Sequence, residues 1–199
     1  MKEMWNKRYS EEEYAYGLEP NEYLKAKLEE LKPGKLFLPG EGEGRNAVYA
    51  AQQGWEVDAL DYSPPGRTKT MALAKKHNVS IQYTVSDITD ADLPEQTYDA
   101  IGLIYFHLPP DLRNSMFPKL ATLLKPGGWL IIEVFSKDQL GRASGGPKMV
   151  DFLLTTETLR NHFPDFTIRE LEQVKVTLRE GRYHEGDASV VRMFAQRKS

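Results

Sequence analysis

The chain of 199 residues contains no cysteine. This absence excludes disulfides, thiolate metal sites, cysteine nucleophiles and thiol redox chemistry, and it fits the reducing cytoplasm, where we expect the protein to act. A single domain of this length buries roughly 70% of the surface that its unfolded chain exposes, so it needs no metal for stability. The four histidines leave a histidine-only metal site open, but no pattern among them favours one. We predict no metal.

Long apolar runs are also missing. The strongest, AIGLIYF at 100–106 and WLIIEVF at 129–135, are much shorter than the ~20 residues that span a bilayer, so we interpret them as buried strands. The first residues, MKEMWNKRYSEEEYAYG, are polar, aromatic and acidic, whereas a signal peptide starts basic and then turns apolar. We therefore expect no export signal and no membrane partner.

Strong charge of one sign is the third absence. The net charge is −3 at pH 7, and lysine and arginine are scattered along the chain. A nucleic-acid-binding protein carries a clustered basic surface to meet the phosphates. We therefore expect no nucleic-acid partner, and no pattern in the sequence indicates an oligomeric state.

Between positions 35 and 135 the sequence alternates strand-like and helix-like segments, which is typical of a parallel sheet flanked by helices. The predicted strands cover 35–38, 56–60, 81–85, 98–106 and 129–135. The predicted helices cover 21–31, 45–53, 66–77, 111–124 with an interruption near Pro118, and 157–163. We divide the chain into an N-terminal arm and helix at 1–34 and a domain at 35–199.

Two β-rich segments, at 167–178 and 188–198, end the chain. Only a short stretch containing GRYHEGD joins them, whereas parallel strands need a crossover of a dozen or more residues. The two segments must therefore be antiparallel, which places a hairpin at one edge of the sheet.

The segment LPGEGEGRNA at 38–47 puts three glycines between the first predicted strand and the first helix after it. Such a turn offers backbone N–H groups and the positive end of a helix dipole to a ligand at the carboxyl edge of the sheet. From Gly42 onward the spacing also fits the G-x-G-x-x-G/A dinucleotide fingerprint, with Asp61 near the ribose-binding position. A nicotinamide-binding protein is therefore one open interpretation.

Two glutamates in the same turn disfavour that interpretation. Glu41 and Glu43 would lie about 5 Å from a pyrophosphate and repel it by ~1 to 3 kcal/mol, and the terminal hairpin is not the second βαβαβ half of a dinucleotide fold. S-adenosylmethionine resolves the conflict, because it has an adenosine for Asp61, no phosphate, and a positive sulfonium and ammonium. The alternative is that both glutamates point to solvent.

With these features together, the chain resembles the class I S-adenosylmethionine-dependent methyltransferases, and among them the tellurite-resistance and thiopurine methyltransferase-like family. The likeness covers nearly the whole chain and depends on the order and spacing of several motifs. These are WNKRYSEEEYAYGLEPNEYL (5–24), GEGEGRNA (40–47), ALDYS (59–63), SDITDADLP (86–94), YDAIGLIYFHLPPDLR (98–113), LLKPGGWLIIEVFS (123–136) and EGRYHEGDASVVR (180–192).

The resemblance implies a single-domain, Rossmann-like α/β fold with a seven-stranded, mostly parallel sheet, an antiparallel last strand and helices on both faces. It implies S-adenosylmethionine as cofactor and S-adenosylhomocysteine as product. Together with our own assignments, the residues predicted to bind the cofactor are Gly40, Glu41, Gly42, Gly44, Asn46, Asp61, Tyr62, Ser63, Asp87, Ile88 and Tyr105. The end of the fourth strand, around 105–107, would flank the methyl group.

The chain departs from the family pattern at one position. Many members carry an acid two positions before the first glycine, where this chain has Leu38 followed by Pro39. That acid usually contacts the ammonium group of the cofactor. Our hypothesis is that Glu41 compensates for its loss, either directly or through water.

Two histidines and an aromatic arm are the candidates for the acceptor side. His107 is the better-placed general base, because an unperturbed imidazole titrates near 6.5, although it could instead pack against the PPDLR turn. His184 lies in the terminal hairpin loop and is the second catalytic candidate. Arg8, Tyr9 and Tyr16 would bind substrate as a lid, or would simply pack on the sheet edge.

Several functions remain open. The leading one is methyl transfer to a small molecule such as a thiol, a thiopurine-like compound or a chalcogen oxyanion, since the chain leaves little surface for docking a macromolecule. The alternatives are aminopropyl transfer on the same fold, a nicotinamide-binding Rossmann protein, and a non-catalytic S-adenosylmethionine sensor.

Glu133 interrupts the apolar run of the fifth strand, where an unpartnered carboxylate would be costly. The sequence leaves open whether it faces the acceptor or a neighbouring backbone group.

Overall fold

The computed structural model describes residues 2–199, which fold into two compact units. The first unit comprises residues 2–92 together with Glu180–Tyr183, and the second comprises Leu93–Arg179 together with His184–Ser199. The helices of the described chain are α1 (Lys2–Tyr9), α2 (Glu22–Glu29), α3 (Arg45–Gln52), α4 (Pro64–Lys76), α5 (Pro110–Leu123) and α6 (Thr156–His162). The strands are β1 (Lys35–Pro39), β2 (Glu56–Asp61), β3 (Gln82–Val85), β4 (Tyr98–Ile104), β5 (Leu124–Phe135), β6 (Phe166–Arg179) and β7 (Glu185–Arg197).

Three parallel strands form the sheet of the first unit, with β2 hydrogen-bonded to both β1 and β3. The central residues of β1, Leu36, Phe37 and Leu38, are all buried. A continuous apolar run of this kind is typical of a parallel strand that is covered on both faces. In β2 the burial extends to its last residue, Asp61, so this carboxylate ends the strand inside the protein.

Short polar side chains start the helices of the first unit. Asn21 accepts a hydrogen bond from the backbone N–H of Leu24 at 2.9 Å and caps α2. Ser63 accepts one from Gly66 at 3.3 Å and caps α4. Such caps satisfy N–H groups that have no partner within the helix.

Helix α1 is not among the elements predicted from the sequence. Its residues, KEMWNKRY, have no regular apolar stripe, and only Tyr9 is buried. The helix is held by aromatic contacts instead, because the ring of Trp5 lies 5.4 Å from that of Tyr9, one turn along the helix, and 6.1 Å from that of Tyr16, outside it. A periodicity argument does not find such a helix, because one aromatic pair does not make an apolar stripe.

The second unit contains the antiparallel pair that the short connection predicts. Strand β7 is antiparallel to β5 on one side and to β6 on the other, and β4 is parallel to β5. The terminal hairpin is thus confirmed. The described chain thus has seven strands, of which β7 alone runs against its neighbours, so the predicted seven-stranded, mostly parallel pattern with an antiparallel last strand is also confirmed.

Two expectations about the second unit are wrong. Strand β4 ends at Ile104 instead of position 106, because Tyr105 takes a φ of 51°, which lies outside the extended region. Helix α5 is continuous across Pro118, although proline lacks the N–H that would bond one turn back. Phe117 and Leu120 are both fully buried and anchor the helix on either side of the proline.

Candidate active site

The glycine loop follows β1 and leads directly into α3. Gly40, Gly42 and Gly44 have φ values of 69°, 66° and 90°, a left-handed backbone region that residues with a Cβ rarely adopt. The backbone N–H of Gly40 donates to the carbonyl of Leu60 at 2.7 Å, which ties the start of the loop to β2. Gly44 is the N-cap of α3 and provides no side-chain cap, so the first N–H groups of that helix are left for other acceptors.

Gly42 is held from three sides and has no room for a side chain. Its N–H donates to Asp61 Oδ2 at 3.1 Å, and its carbonyl accepts from the hydroxyls of Tyr83 at 2.8 Å and Thr70 at 3.2 Å. A Cβ on this glycine would lie 2.6 Å from the Tyr9 hydroxyl. The loop conformation is therefore determined by its surroundings as well as by its glycines.

Glu41 folds back on the helix that follows it. Its Oε1 accepts a hydrogen bond from the backbone N–H of Ala47 at 2.8 Å, in the first turn of α3. Burial raises the pKa of Glu41 to about 7, although the hydrogen bond from Ala47 and the charge of Arg45 act in the opposite direction. The carboxylate is thus a half-buried group whose desolvation outweighs the stabilisation that the protein gives to its charge.

Glu43 is committed to an internal ion pair. Its Oε1 lies 2.7 Å from Lys69 Nζ, and its Oε2 accepts from the backbone N–H of Ala15 at 2.8 Å. The residue is only 5% exposed, so the expectation that it could point to solvent is wrong. Glu43 fastens the N-terminal arm to the loop.

Asp61 joins the glycine loop to the end of β2. One carboxylate oxygen accepts from Gly42, and the other accepts from the backbone N–H of Ser63 at 2.9 Å. Burial nevertheless raises the pKa of Asp61 to about 6. Each carboxylate oxygen keeps a second acceptor site, and hydroxyl donors of a ligand would lower the cost of the buried charge. Tyr62, the next residue, also has a raised pKa because it is buried.

The other residues assigned to the cofactor differ in their local roles. Asp87 is exposed and accepts hydrogen bonds from both the N–H and the hydroxyl of Thr89, at 3.0 and 2.9 Å, whereas Ile88 is buried. Ser63 caps α4. Asn46 accepts from the backbone N–H of Asn21 at 2.8 Å, so it contacts the arm.

Arg45, which the sequence analysis did not single out, ties the arm to residues 180–183. Its guanidinium donates to Glu180 Oε2 at 3.1 Å and to the backbone carbonyls of Tyr16 and Glu19, both at 3.3 Å. Asn21 donates to the other Glu180 oxygen at 3.1 Å. No periodicity or motif pairs residues so far apart in the chain.

Arg8, Tyr9 and Tyr16, the predicted substrate residues, lie together in the arm. Arg8 donates to the Tyr16 hydroxyl at 2.6 Å, and its guanidinium lies 4.0 Å from the ring centroid of Tyr183 and 4.8 Å from that of Trp5. Tyr9 is buried against Gly42. The guanidinium is thus enclosed by aromatic rings of its own unit, which stabilises it through cation–π contact.

The second unit gathers Tyr105, His107 and His184 around Phe135. The ring of Phe135 stacks on Tyr105 at 4.8 Å and on His107 at 5.7 Å, and His184 meets it edge-on at 5.2 Å. His184 is buried and also contacts Tyr105 edge-on at 4.5 Å. The two predicted catalytic histidines therefore share one aromatic cluster.

Both ring nitrogens of His107 are bound to backbone groups. Nε2 accepts from the N–H of Phe135 at 3.2 Å, so Nδ1 carries the proton and donates to the carbonyl of Phe152 at 2.9 Å. Burial lowers the pKa of His107 to about 4. While these bonds hold, neither nitrogen can take a proton from an acceptor, and we do not carry the role of general base forward.

Glu133 receives two partners that the sequence did not reveal. Arg192 Nε donates to its Oε2 at 2.6 Å, and the Tyr105 hydroxyl donates to its Oε1 at 3.1 Å. Glu133 and Arg192 are directly opposite in the β5–β7 register, so correct pairing of the two strands would have predicted the ion pair. Among residues 2–199, no group of three or more histidine, aspartate or glutamate side chains is arranged to hold a metal.

A family model described as a methyltransferase domain matches residues 39–128. Over this segment the chain is similar to methyltransferase domains. The matched segment begins at the last residue of β1 and includes the glycine loop and Asp61. These are parts of the fold that are predicted to bind the cofactor. In residues 2–199 no helix is long and apolar enough to cross a bilayer.

The relatives that this chain matches are distant. It is 23% identical over 152 residues to "Hemagglutinin 1" of Eikenella corrodens, covering 75% of this chain and 49% of that protein. It is 23% identical over 146 residues to the probable S-adenosyl-L-methionine-dependent methyltransferase TehB of Haemophilus influenzae, covering 72% and 49%. The chain thus spans about half the length of the curated relatives it matches.

Solved structures share the fold. The crystal structure of TehB from Haemophilus influenzae has a TM-score of 0.76 at 19% identity and covers 99% of this chain and 67% of that one. A Burkholderia thailandensis 1,6-didemethyltoxoflavin-N1-methyltransferase with bound substrate and S-adenosylhomocysteine has a TM-score of 0.64 at 22% identity, covering 88% and 75%. At these identities the likeness establishes the fold alone.

Proposed function

We propose that the protein transfers a methyl group from S-adenosylmethionine to a small molecule. The observation that carries this proposal is the pair of carboxylates at the glycine loop, the half-buried Glu41 and the buried Asp61. Desolvation raises the pKa of both, so a ligand that brings hydroxyl donors and positive groups would stabilise their ionised forms, whereas a pyrophosphate would repel them.

The cations near the loop support the same choice. Lys69 is paired with Glu43, and Arg45 is paired with Glu180, so neither of these cations can meet a pyrophosphate without breaking an internal ion pair. The side chains present therefore fit a phosphate-free nucleoside that bears positive charge. They do not fit a dinucleotide, and we rank the nicotinamide alternative below the methyl donor.

Within this proposal, Asp61 would accept the ribose hydroxyls, Asp87 and Ile88 would meet the adenine, and Glu41 would attract the ammonium group. When bound, S-adenosylmethionine supplies an electrophilic methyl group for an in-line displacement. The protein contributes mainly orientation, which can account for a large part of the acceleration of such reactions. The 1,6-didemethyltoxoflavin-N1-methyltransferase, whose structure contains the small molecule 1,6-didemethyltoxoflavin, supports a small acceptor by analogy.

The acceptor class stays part of the proposal. Thiols, thiopurine-like compounds and chalcogen oxyanions such as selenite and tellurite are the candidates from the sequence. The commitment of both His107 nitrogens favours acceptors that need no strong general base, and it also keeps a second candidate open, a sensor that binds S-adenosylmethionine without turnover.

Calorimetric titration with S-adenosylmethionine, S-adenosylhomocysteine and NADH is the first test. We expect both sulfur ligands to bind and NADH to give no heat of binding. Tight NADH binding, together with no heat of binding for S-adenosylmethionine and S-adenosylhomocysteine, would refute the proposal. Turnover of the methyl donor against thiols, selenite, tellurite and thiopurines then separates an enzyme from a sensor.

A further inference from the structure

Glu133 is a charged group that the cofactor site does not use. It is 2% exposed and lies within the apolar part of β5. Burial of a carboxylate is costly unless it is paired and hydrogen-bonded. Here Arg192 bonds one oxygen and the Tyr105 hydroxyl bonds the other, so the protein maintains a buried carboxylate that is hydrogen-bonded to a tyrosine.

Tyr105 is held in an unusual conformation at the end of β4. Its φ of 51° is uncommon for a residue with a Cβ, and strained backbone of this kind costs roughly 1 to 3 kcal/mol and concentrates at functional sites. The backbone N–H of Tyr105 donates to the Glu133 carbonyl at 2.7 Å, and this hydrogen bond holds the residue in that conformation. The carboxyl end of a parallel strand is also where open α/β sheets bind ligands.

The ring of Tyr105 is fixed as firmly as its backbone. Phe135 stacks on it and His184 packs edge-on against it, while the side chain remains partly accessible. A carboxylate can only accept hydrogen bonds, so the phenolic hydrogen is directed toward Glu133. That bond polarises the phenol and makes its oxygen a better acceptor.

We propose that the Tyr105 oxygen accepts a hydrogen bond from the nucleophilic atom of the methyl acceptor, and that the acceptor is a neutral molecule with an N–H or O–H at that atom. This inference rests on the proposed function and narrows its substrate class: a thiolate or a chalcogen oxyanion brings no hydrogen at the reacting atom, so these candidates become the less favoured ones. Tyr105 then acts as a catalytic residue in contact with the reacting atom, and Glu133 acts as a positioning residue behind it.

The charge changes of the reaction explain the need for such an acceptor. The lone pair of the neutral X–H group forms the new bond to the methyl carbon, and the bond from that carbon to sulfur breaks with its electron pair remaining on sulfur. Positive charge therefore moves from sulfur to X–H. The Tyr105 oxygen stabilises that charge through the hydrogen bond, and the proton of X–H afterwards leaves to solvent.

Nuclear magnetic resonance of protein labelled with ¹³C at tyrosine Cζ tests the contact directly. The signal of Tyr105 is assigned as the one that is missing from the spectrum of Tyr105→Phe. We expect phenol and aniline, added in the presence of S-adenosylhomocysteine, to shift the Tyr105 signal, and Glu133→Gln to shift it without any ligand. Tyr49, whose hydroxyl donates to Glu29 on the surface at 3.0 Å, is the matched tyrosine that should not respond.

Kinetics with aniline and thiophenol add a second readout. Thiophenol is ionised at pH 8 and brings no hydrogen, whereas aniline is neutral. We expect Tyr105→Phe to lower kcat for aniline by about 10- to 100-fold, the usual effect of losing a hydrogen bond to a charged group, with thiophenol nearly unaffected. The control Tyr49→Phe should change neither rate.

Two outcomes would overturn the inference. One is the absence of any response of Tyr105 to phenol and aniline, or of any aniline methylation, in a protein that binds S-adenosylhomocysteine. The other is a loss of S-adenosylhomocysteine affinity in Tyr105→Phe as large as the loss of rate, which would make Tyr105 a cofactor contact only. If wild-type protein does not bind S-adenosylhomocysteine at all, the proposed function itself fails.

Discussion

Replacing Glu41 with glutamine should make the protein more stable and a weaker binder of S-adenosylmethionine. The pKa of Glu41 rises from 4.5 to about 7 because of burial, and each tenfold change in an acid constant corresponds to ~1.4 kcal/mol. The ionised carboxylate therefore costs the fold roughly 1 to 3 kcal/mol, with the lower half of that range favoured because Glu41 is partly exposed. Glutamine keeps an oxygen to accept from Ala47 and removes the charge.

The sign of the pH dependence follows from the direction of the pKa change. A folded-state pKa above the unfolded value means that the stability associated with the protonated carboxyl is complete below pH 4.5 and is lost as the pH rises through about 7. We therefore expect the free energy of unfolding of Glu41→Gln to exceed that of wild type by about 1 to 2 kcal/mol at pH 8. This difference should disappear near pH 4.5.

Urea unfolding followed by tryptophan fluorescence at pH 4.5, 6 and 8 measures this difference. Glu43→Gln is the matched control, because the same substitution there leaves Lys69 without its buried partner and should destabilise the protein by about 1 to 3 kcal/mol. A Glu41→Gln advantage that does not change with pH, or no advantage at pH 8, would refute the electrostatic argument.

Cofactor affinity should change in the opposite direction. If Glu41 attracts the ammonium group, Glu41→Gln should weaken S-adenosylmethionine binding by about tenfold, equivalent to ~1.4 kcal/mol. Wild-type affinity should also decrease as the pH falls from 8 to 6, since protonation of Glu41 removes the attraction. Unchanged affinity in the variant, measured by calorimetry at pH 8, would exclude Glu41 as the replacement for the missing acid at Leu38.

Three further predictions concern other parts of the candidate site. Asp61→Asn should destabilise the loop and lower S-adenosylhomocysteine affinity by at least tenfold in calorimetry, because an amide cannot accept both backbone N–H groups that Asp61 binds. Gly42→Ala should cost about 2 kcal/mol or more in urea unfolding, owing to the Tyr9 clash, whereas Gly141→Ala, with nothing within 4 Å, should cost about 1 kcal/mol or less. Neutral His107 stabilises the fold above pH 6.5, and this contribution is lost as the pH falls through about 4. In the same urea assay, the free energy of unfolding of His107→Asn should therefore decrease less than that of wild type as the pH falls.

Local sequence patterns were sufficient for most of the fold. The apolar strand runs, the short connection before His184 and the glycine turn each reflect a constraint within a few neighbouring residues, and all three predictions agree with the structure. Helix α1 and the continuous helix through Pro118 were missed because long-range packing decides them. Tyr105 ended β4 early for a related reason, since its backbone is held by a contact with Glu133.

The candidate site divides in the same way. Its location at the glycine loop and Asp61 follows from motif spacing, but the partners of its charges do not. Glu41 and Glu43 are equivalent in the sequence, two residues apart in one turn, yet only Glu43 meets a lysine. The difference arises from α4, which places Lys69 beside Glu43. It places no lysine or arginine as close to Glu41. Glu41 is thereby left as the acid whose charge a ligand can satisfy, and this is why its stability and its cofactor affinity should respond to substitution with opposite signs.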